Sequence, residues 1–230
     1  MQKMHVKKIR VWDLPIRLFH WAVVLLIVIS VVTANIGGNA MEWHFLSGFT
    51  ILTLVLFRIL WGLVGSRYAR FSTLFHTPSS ILAYLRDVDS AKNARGEGYH
   101  GHNPLGSLSV LALLGVILLQ AMSGLFANDD IASEGPLVKF ISKEFSDQIT
   151  WYHKVIGAKL IYFLVGLHVA AIAYYTFRKK ENLVKPMLTG DKVTEVNAPA
   201  AIDSWGTRFF AMVLLSACAA VVYFLIRLKP

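Results

Sequence analysis

Residues 150–177 read T-W-Y-H-K-V-I-G-A-K-L-I-Y-F-L-V-G-L-H-V-A-A-I-A-Y-Y-T-F. The run is apolar and long enough to cross a lipid bilayer, which takes about 20 helical residues. It carries two histidines, His153 and His168, fifteen positions apart. At ~100° and ~1.5 Å per residue, one helix presents both imidazoles within roughly 60° of each other and about 22 Å apart along its axis. Ionisable side chains are rare and costly inside spanning helices, so the pair predicts a functional role.

The composition is that of an integral membrane protein. Of the 230 residues, 55% are hydrophobic and only 16% are charged, whereas a soluble domain carries about 25% charged residues. A net charge of +9 is also found in nucleic-acid-binding proteins, but the long apolar runs favour a basic membrane face instead. We therefore expect no nucleic-acid partner. The lone cysteine, Cys218, excludes an intramolecular disulfide, an iron–sulfur cluster with several thiolates and covalent haem attachment through C-x-x-C-H.

Five apolar runs predict five spanning helices. They are residues 18–36, 43–64, 105–126, 150–177 and 209–226. The first run exceeds the ~7–15-residue core of a signal peptide, so we expect it to be retained. Between the second and third runs, S-I-L-A-Y-L-R (80–86) predicts a short surface helix. The predicted fold is an all-α integral membrane protein, with a transmembrane four-helix bundle in 1–180, a cytoplasmic linker in 181–205 and an additional C-terminal transmembrane helix in 206–230.

The distribution of basic residues predicts the orientation. Lys and Arg are frequent in the N-terminal segment, the 66–104 loop and the 178–192 segment. The 37–42 and 127–150 connectors are acidic or poor in basic residues. Since Lys and Arg accumulate on the cytoplasmic side, we predict a multi-pass protein of the bacterial cytoplasmic (inner) membrane with its N-terminus in the cytoplasm.

Four histidines fall at two matched depths in this topology. His20 and His168 lie toward the cytoplasmic side, and His44 and His153 toward the outer side. Two pairs at two levels favour two haems in the core of a four-helix bundle, each held by imidazoles from two helices. The alternative for any single intramembrane histidine is a hydrogen bond between helices. Zinc is disfavoured because the two levels are far apart and no carboxylates join them.

Two glycines accompany the outer pair of histidines. Gly48 follows His44 by four residues, and Gly157 follows His153 by four. Residues four apart share a helix face, so each glycine predicts a bare patch where a flat macrocycle could lie beside its histidine. Close packing of helices in the membrane is the alternative explanation for both glycines.

Several other ionisable residues are candidates for the site. Arg17 and Arg58 could neutralise haem propionates on the inner side, and Lys159, within the fourth run, could pair with a propionate or handle protons. His100 and His102 form an H-x-H motif before the third run. That motif leaves three interpretations open: a weak metal site, a solvated loop, or proton delivery to a bound quinone.

Five segments carry a family resemblance. They are V-W-D-L-P-I-R-L-F-H-W (11–21), H-F-L-S-G (44–48), R-I-L-W-G (58–62), G-H-N-P-L-G (101–106) and H-K-V-I-G to H-V-A-A (153–171). Together they resemble the prokaryotic cytochrome b-561 family, which includes the b-type cytochrome subunits of nickel–iron hydrogenases and small di-haem quinone-reactive cytochromes. The resemblance covers about residues 9–180 and implies that His20, His44, His153 and His168 are axial ligands of two non-covalent haem b groups.

The resemblance also implies electron exchange between the membrane quinone pool and a redox partner. That partner would be a periplasmic cytochrome c or a hydrogenase- or dehydrogenase-type subunit, with a quinone bound near one membrane face. We therefore favour a di-haem electron-transfer subunit of a quinone-linked oxidoreductase over a self-sufficient enzyme.

Two other functions compete with this interpretation. A stand-alone superoxide:quinone oxidoreductase, which some small family members resemble, needs a positively charged funnel, and the acidic 127–150 loop disfavours it. A transporter or structural membrane protein that relays protons through its histidines would contain no haem at all.

Overall fold

A computed structural model describes residues 7–86, 101–131, 133–194 and 198–228. Its α-helices are α1 Leu14–Ile36, α2 Met41–Val64, α3 Pro78–Arg86, α4 Pro104–Gly124, α5 Lys143–Trp151, α6 Ala158–Phe177, α7 Val184–Thr189 and α8 Trp205–Leu225. A π-helical segment, Tyr152–Gly157, joins α5 to α6. Short 3-10 helices are Gly38–Ala40, Arg67–Ala69, Phe71–Thr73 and Val138–Phe140, and the strands are β1 Lys7–Arg10 and β2 Asp191–Thr194.

Within the described ranges, five helices are long and apolar enough to cross a membrane, which confirms the predicted architecture. They are Leu14–Ile36, Gly38–Val64, Pro104–Gly124, Lys143–Phe177 and Trp205–Leu225. The start of the fourth helix was predicted wrongly at residue 150. Ser142 caps this helix by accepting a hydrogen bond from the Phe145 amide at 3.3 Å, so the helix begins at Lys143. Glu144 and Asp147 therefore lie in the helix and not in a loop.

The chain divides into two compact units. One, here called the sheet unit, holds the described residues of Met1–Leu18, Leu60–Leu111 and Gly166–Ala211. The other, called the cavity unit, holds the described residues of Phe19–Ile59, Ala112–Val165 and Met212–Pro230.

The sheet unit contains a two-stranded sheet that the sequence did not predict. Antiparallel pairing of β1 with β2 places Arg10 opposite Asp191. The Arg10 guanidinium lies 2.7 Å from Asp191 and 2.7 Å from Asp203, and Arg208 lies 2.9 Å from Asp203. Burial alone would raise the pKa of Asp203, but hydrogen bonds from Arg208 and the Leu14 amide, with the charges of Arg208 and Arg10, hold that pKa below its usual value.

The segment predicted as a linker, 181–205, is thus built into the sheet unit through α7 and β2. The predicted surface helix at 80–86 is present as α3, but Tyr84 is buried. Its hydroxyl lies 2.5 Å from that of Tyr175, which also accepts a hydrogen bond from Asn103 Nδ2 at 2.7 Å. These bonds tie α3 to α6 and to the start of α4, so α3 is not a loose surface helix.

Asp13 anchors the start of α1 in the sheet unit. Its side chain is fully buried. Oδ1 accepts from the Ile16 amide at 2.8 Å, as an N-cap does. Oδ2 accepts from Trp61 Nε1 at 3.1 Å and from the Ser66 hydroxyl. One carboxylate therefore joins α1 to the end of α2.

Two apolar clusters form the core of the cavity unit. Val23, Ile51, Val55 and Ile117 make the first cluster, drawn from α1, α2 and α4. Leu52, Leu125, Leu137 and Val222 make the second. Val222 lies in α8, so the fifth spanning helix contributes directly to this core.

Candidate haem-binding site

His44 and His153 face each other in the cavity unit. Their ring centroids are 6.1 Å apart and their ring planes are nearly perpendicular, at 89°. Two imidazoles bound to opposite sides of one metal ion have centroids about 6 Å apart, because each metal–nitrogen bond is about 2 Å and each nitrogen lies about 1 Å from its centroid. The spacing therefore fits two axial ligands of one iron. We call this pair the His44–His153 site.

The tautomer of His44 follows from its hydrogen bonds. Nδ1 lies 2.9 Å from the Ser30 carbonyl oxygen and 3.2 Å from the Ser30 hydroxyl, both on α1. A carbonyl oxygen can only accept, so Nδ1 carries the proton and donates it. The lone pair is then on Nε2, which is the nitrogen left to bind a metal.

His153 is held in the same way by α4. Its Nδ1 lies 3.1 Å from the Gln120 carbonyl oxygen and 2.9 Å from Ser123 Oγ. Ser123 donates its own proton to the Gln120 carbonyl at 2.8 Å, so its oxygen is available to accept from Nδ1. Both histidines thus use a backbone carbonyl and a serine hydroxyl on a neighbouring helix to fix the ring and free Nε2.

His44 and His153 both line a cavity of about 480 Å³, within the ~300–1,000 Å³ range of cofactor pockets. Gly48 lines it, and a Cβ at that position would have nothing within 4 Å. Gly124 lines it too, and a Cβ there would come within 3.1 Å of His153 Cε1. The open space beside His44 is as the sequence predicts, while Gly124 makes room for the ring of His153.

Gly157 differs from the expectation of a bare patch. It is buried, and a Cβ at this position would overlap Oε1 of Gln120. The space beside Gly157 is occupied by the Gln120 amide and does not open toward the cavity. Gly157 therefore allows a close contact between helices instead of the predicted contact with the macrocycle.

The basic side chains differ in their burial and in whether they line the cavity. Lys159 is exposed and does not line the cavity, whereas Lys154 does. Arg58 is buried, with 4% of its surface exposed. Arg17 donates a hydrogen bond from Nη1 to the Leu188 carbonyl at 2.5 Å. Lys154 is thus the lysine that reaches the cavity of the His44–His153 site.

His20, His168 and His102 are not among the residues that line this cavity. His20 and His168 are both half-buried, and the His20 ring makes an edge contact with Trp21 at 5.0 Å. The pairing of His20 with His168 stays a prediction. His102 packs against Trp12 with ring centroids 4.7 Å apart, so it is not simply solvated. His100 lies outside the described residues.

The fit of the His44–His153 site to a haem rests on three observations: the ring spacing, the two Nδ1–H tautomers and the open space beside Gly48. Spanning helices with such a site define a membrane-bound b-type cytochrome. The family model of the prokaryotic cytochrome b561 matches residues 11–190, and the chain belongs to that family. It is accordingly a multi-pass membrane protein that binds haem b and takes part in electron transfer.

Two relatives of the chain support the same class of protein. The chain is 26% identical over 217 residues to a probable Ni/Fe-hydrogenase B-type cytochrome subunit of Cupriavidus necator, covering 80% of this chain and 87% of that protein. It is 24% identical over 221 residues to the subunit of the same name in Azotobacter chroococcum, covering 82% and 90%. No solved structure matches the chain significantly.

Proposed function

We propose that this cytochrome carries electrons across the cytoplasmic membrane through two haem b groups and links the quinone pool to a redox partner protein. The observation that carries the proposal is the His44–His153 pair, whose ring centroids are 6.1 Å apart and which lines a cavity of about 480 Å³. Haem iron, when bound, supplies one-electron redox chemistry, and the protein supplies binding, orientation and tuning.

The residues around the pair set the donor strength of its nitrogens. Each Nδ1–H donates to a backbone carbonyl, which makes Nε2 a more basic ligand and favours the oxidised state of the metal. His44 and His153 would hold the haem through their Nε2 atoms, and the group would supply one-electron transfer.

A second haem would be held by His20 and His168. Support comes from their matched depth in the sequence topology. In the orientation with the N-terminus in the cytoplasm, this haem lies toward the inner face, where Arg17 and Arg58 would neutralise its propionates. Lys154 would take that part at the outer haem, in place of Lys159.

The partner is proposed from the relatives. The curated relatives are named as Ni/Fe-hydrogenase B-type cytochrome subunits, and they match 80–82% of this chain in the first two cases. We therefore propose a hydrogenase-type partner, with quinone at the other end of the electron path. Anaerobic membranes that contain both proteins should reduce the haems on addition of hydrogen, and membranes that lack the partner should not. Reduction only by a periplasmic cytochrome c would point to the other partner class.

Haem counting tests the proposal directly. The purified chain should contain two haem b per polypeptide in a pyridine haemochrome assay. His44→Ala and His153→Ala should each lose the same haem, and His168→Ala should lose the other. His76→Ala is the control: His76 bonds Ser107 at 3.1 Å and is not among the residues that line the cavity, so the variant should retain both haems. One haem in the unaltered chain, or no loss in any of the three variants, would refute the assignment.

The superoxide oxidoreductase gains no support from the cavity rim. Asp129 is among the residues that line the cavity, and a carboxylate there repels an anionic substrate. Stopped-flow measurement of superoxide consumption by the isolated chain separates the two functions, because an electron-transfer subunit should not accelerate it above the spontaneous rate.

A further inference from the structure

Gln120 contacts His153 from two sides. Its backbone carbonyl accepts the Nδ1 proton of the imidazole at 3.1 Å, and its side-chain Nε2 donates to the backbone carbonyl of His153 at 2.9 Å. The remaining atom of the amide, Oε1, is buried and accepts no hydrogen bond from a protein group. A residue needed only for packing would be apolar here, because an unsatisfied buried acceptor is costly.

The local backbone explains why an amide is placed at this point. His153 lies in the π-helical segment Tyr152–Gly157, and Gly157 ends it. Single π-helical turns inside α-helices are rare and occur mostly at functional sites. They persist where the surrounding structure holds them. The Gln120 side chain supplies such support by bonding the segment's own backbone and filling the space that glycine leaves at residue 157.

We propose that Gln120 is a positioning residue, whose side chain occupies the space that Gly157 leaves. It holds the π-helical segment and thereby sets the plane of the His153 imidazole relative to that of His44. The two planes are 89° apart. The inference rests on the proposed haem at the His44–His153 site. In low-spin ferric haem the angle between the two axial ring planes governs the splitting of the iron d orbitals, and electron paramagnetic resonance reports it as the anisotropy of the g tensor.

Two variants remove this contact by different routes. Gln120→Met keeps the length of the side chain but removes the donor, and Gly157→Ala places a Cβ where Oε1 lies. In each variant we expect one of the two low-spin signals of the oxidised protein to become less anisotropic as the planes relax from perpendicular. The other signal and the haem content should stay as in the unaltered chain.

Two glycines on the same helices provide controls. A Cβ at Gly115 on α4, or at Gly166 on α6, would have nothing within 4 Å. Gly115→Ala and Gly166→Ala should therefore leave both signals unchanged. If they alter the spectrum as much as Gly157→Ala does, the effect is a general one of helix substitution and the inference is overturned.

The outcomes separate the inference from the proposed function. Two haems and two unchanged signals in Gln120→Met overturn the positioning role and leave the haem assignment standing. If Gln120→Met does not yield folded protein, Gly157→Ala decides alone, and unchanged signals there overturn the role. An unaltered chain without haem refutes the proposed function itself.

Discussion

Ser123→Ala should raise the reduction potential of the haem that we propose at the His44–His153 site. Ser123 Oγ is one of two acceptors for the Nδ1 proton of His153, at 2.9 Å. Without it, the imidazole has less negative charge to donate, and the oxidised iron loses more stabilisation than the reduced iron does. The variant removes one hydroxyl and leaves the Gln120 carbonyl in place, so the ring should stay bound.

The size of the shift follows from the hydrogen bond. A neutral hydrogen bond contributes about 1 kcal/mol net. A tenfold change in a one-electron equilibrium, or about 1.4 kcal/mol, corresponds to about 59 mV. Because only the difference between the two oxidation states counts, we expect a rise of about 20–40 mV.

A potentiometric titration followed in the visible bands would measure both of the proposed haems in one experiment. The potential of one haem should rise and the other should stay constant. Thr53→Ala is the matched control, because Thr53 Oγ1 bonds the Phe49 carbonyl at 3.0 Å within α2 and contacts neither histidine. A downward shift in Ser123→Ala, or an equal shift of both haems, would refute the reasoning about the Nδ1 bond.

Three further predictions concern the rest of the chain. Asp13→Ala should lower the free energy of unfolding by about 2–4 kcal/mol, since it removes a helix cap and leaves buried donors without an acceptor; a thermal unfolding temperature equal to that of the unaltered chain would contradict this. The lowered pKa of Asp203 means that its contribution is present above its unfolded pKa of about 3.9 and is lost as pH falls through the lower folded value. Asp203→Asn should therefore unfold at a lower temperature than the unaltered chain at pH 6, and the gap should narrow in strong acid; a constant gap would be inconsistent with the linkage. Gly124→Ala brings a Cβ within 3.1 Å of His153 and should reduce haem content at that site, measured by haemochrome assay, whereas full content would show that the ring can shift at no cost.

The sequence predicts the spanning helices well because each apolar run satisfies the length that a bilayer requires. It fails at the start of the fourth helix, where Ser142 caps an acidic turn that resembles a loop. It also fails for the sheet, whose two strands have four residues each. No periodic pattern of useful length fits in four residues, and the partner strand is remote in the chain.

The residues of the site also differ in whether the sequence reveals them. His44 and Gly48 are visible in the sequence because they share a helix face at a spacing of four, and His153 because it is an ionisable residue in another apolar run. Gln120 and Ser123 act on a histidine of another helix, and spacing within one helix does not reveal its neighbours. The signal that could have indicated them is simpler: they are polar residues inside an apolar run, where such side chains form hydrogen bonds to neighbouring helices.

The ion pair between Arg10 and Asp203 joins residues 193 positions apart in the chain. It therefore constrains the order in which the protein is assembled. When α1 enters the membrane during synthesis, the strand before it has no partner, because β2 is translated only after the fourth spanning helix. The sheet must therefore close late, once most helices are inserted. In a chain stalled on the ribosome before Asp191, β1 should still be accessible to protease. In a released chain long enough to include Asp203, β1 should be protected.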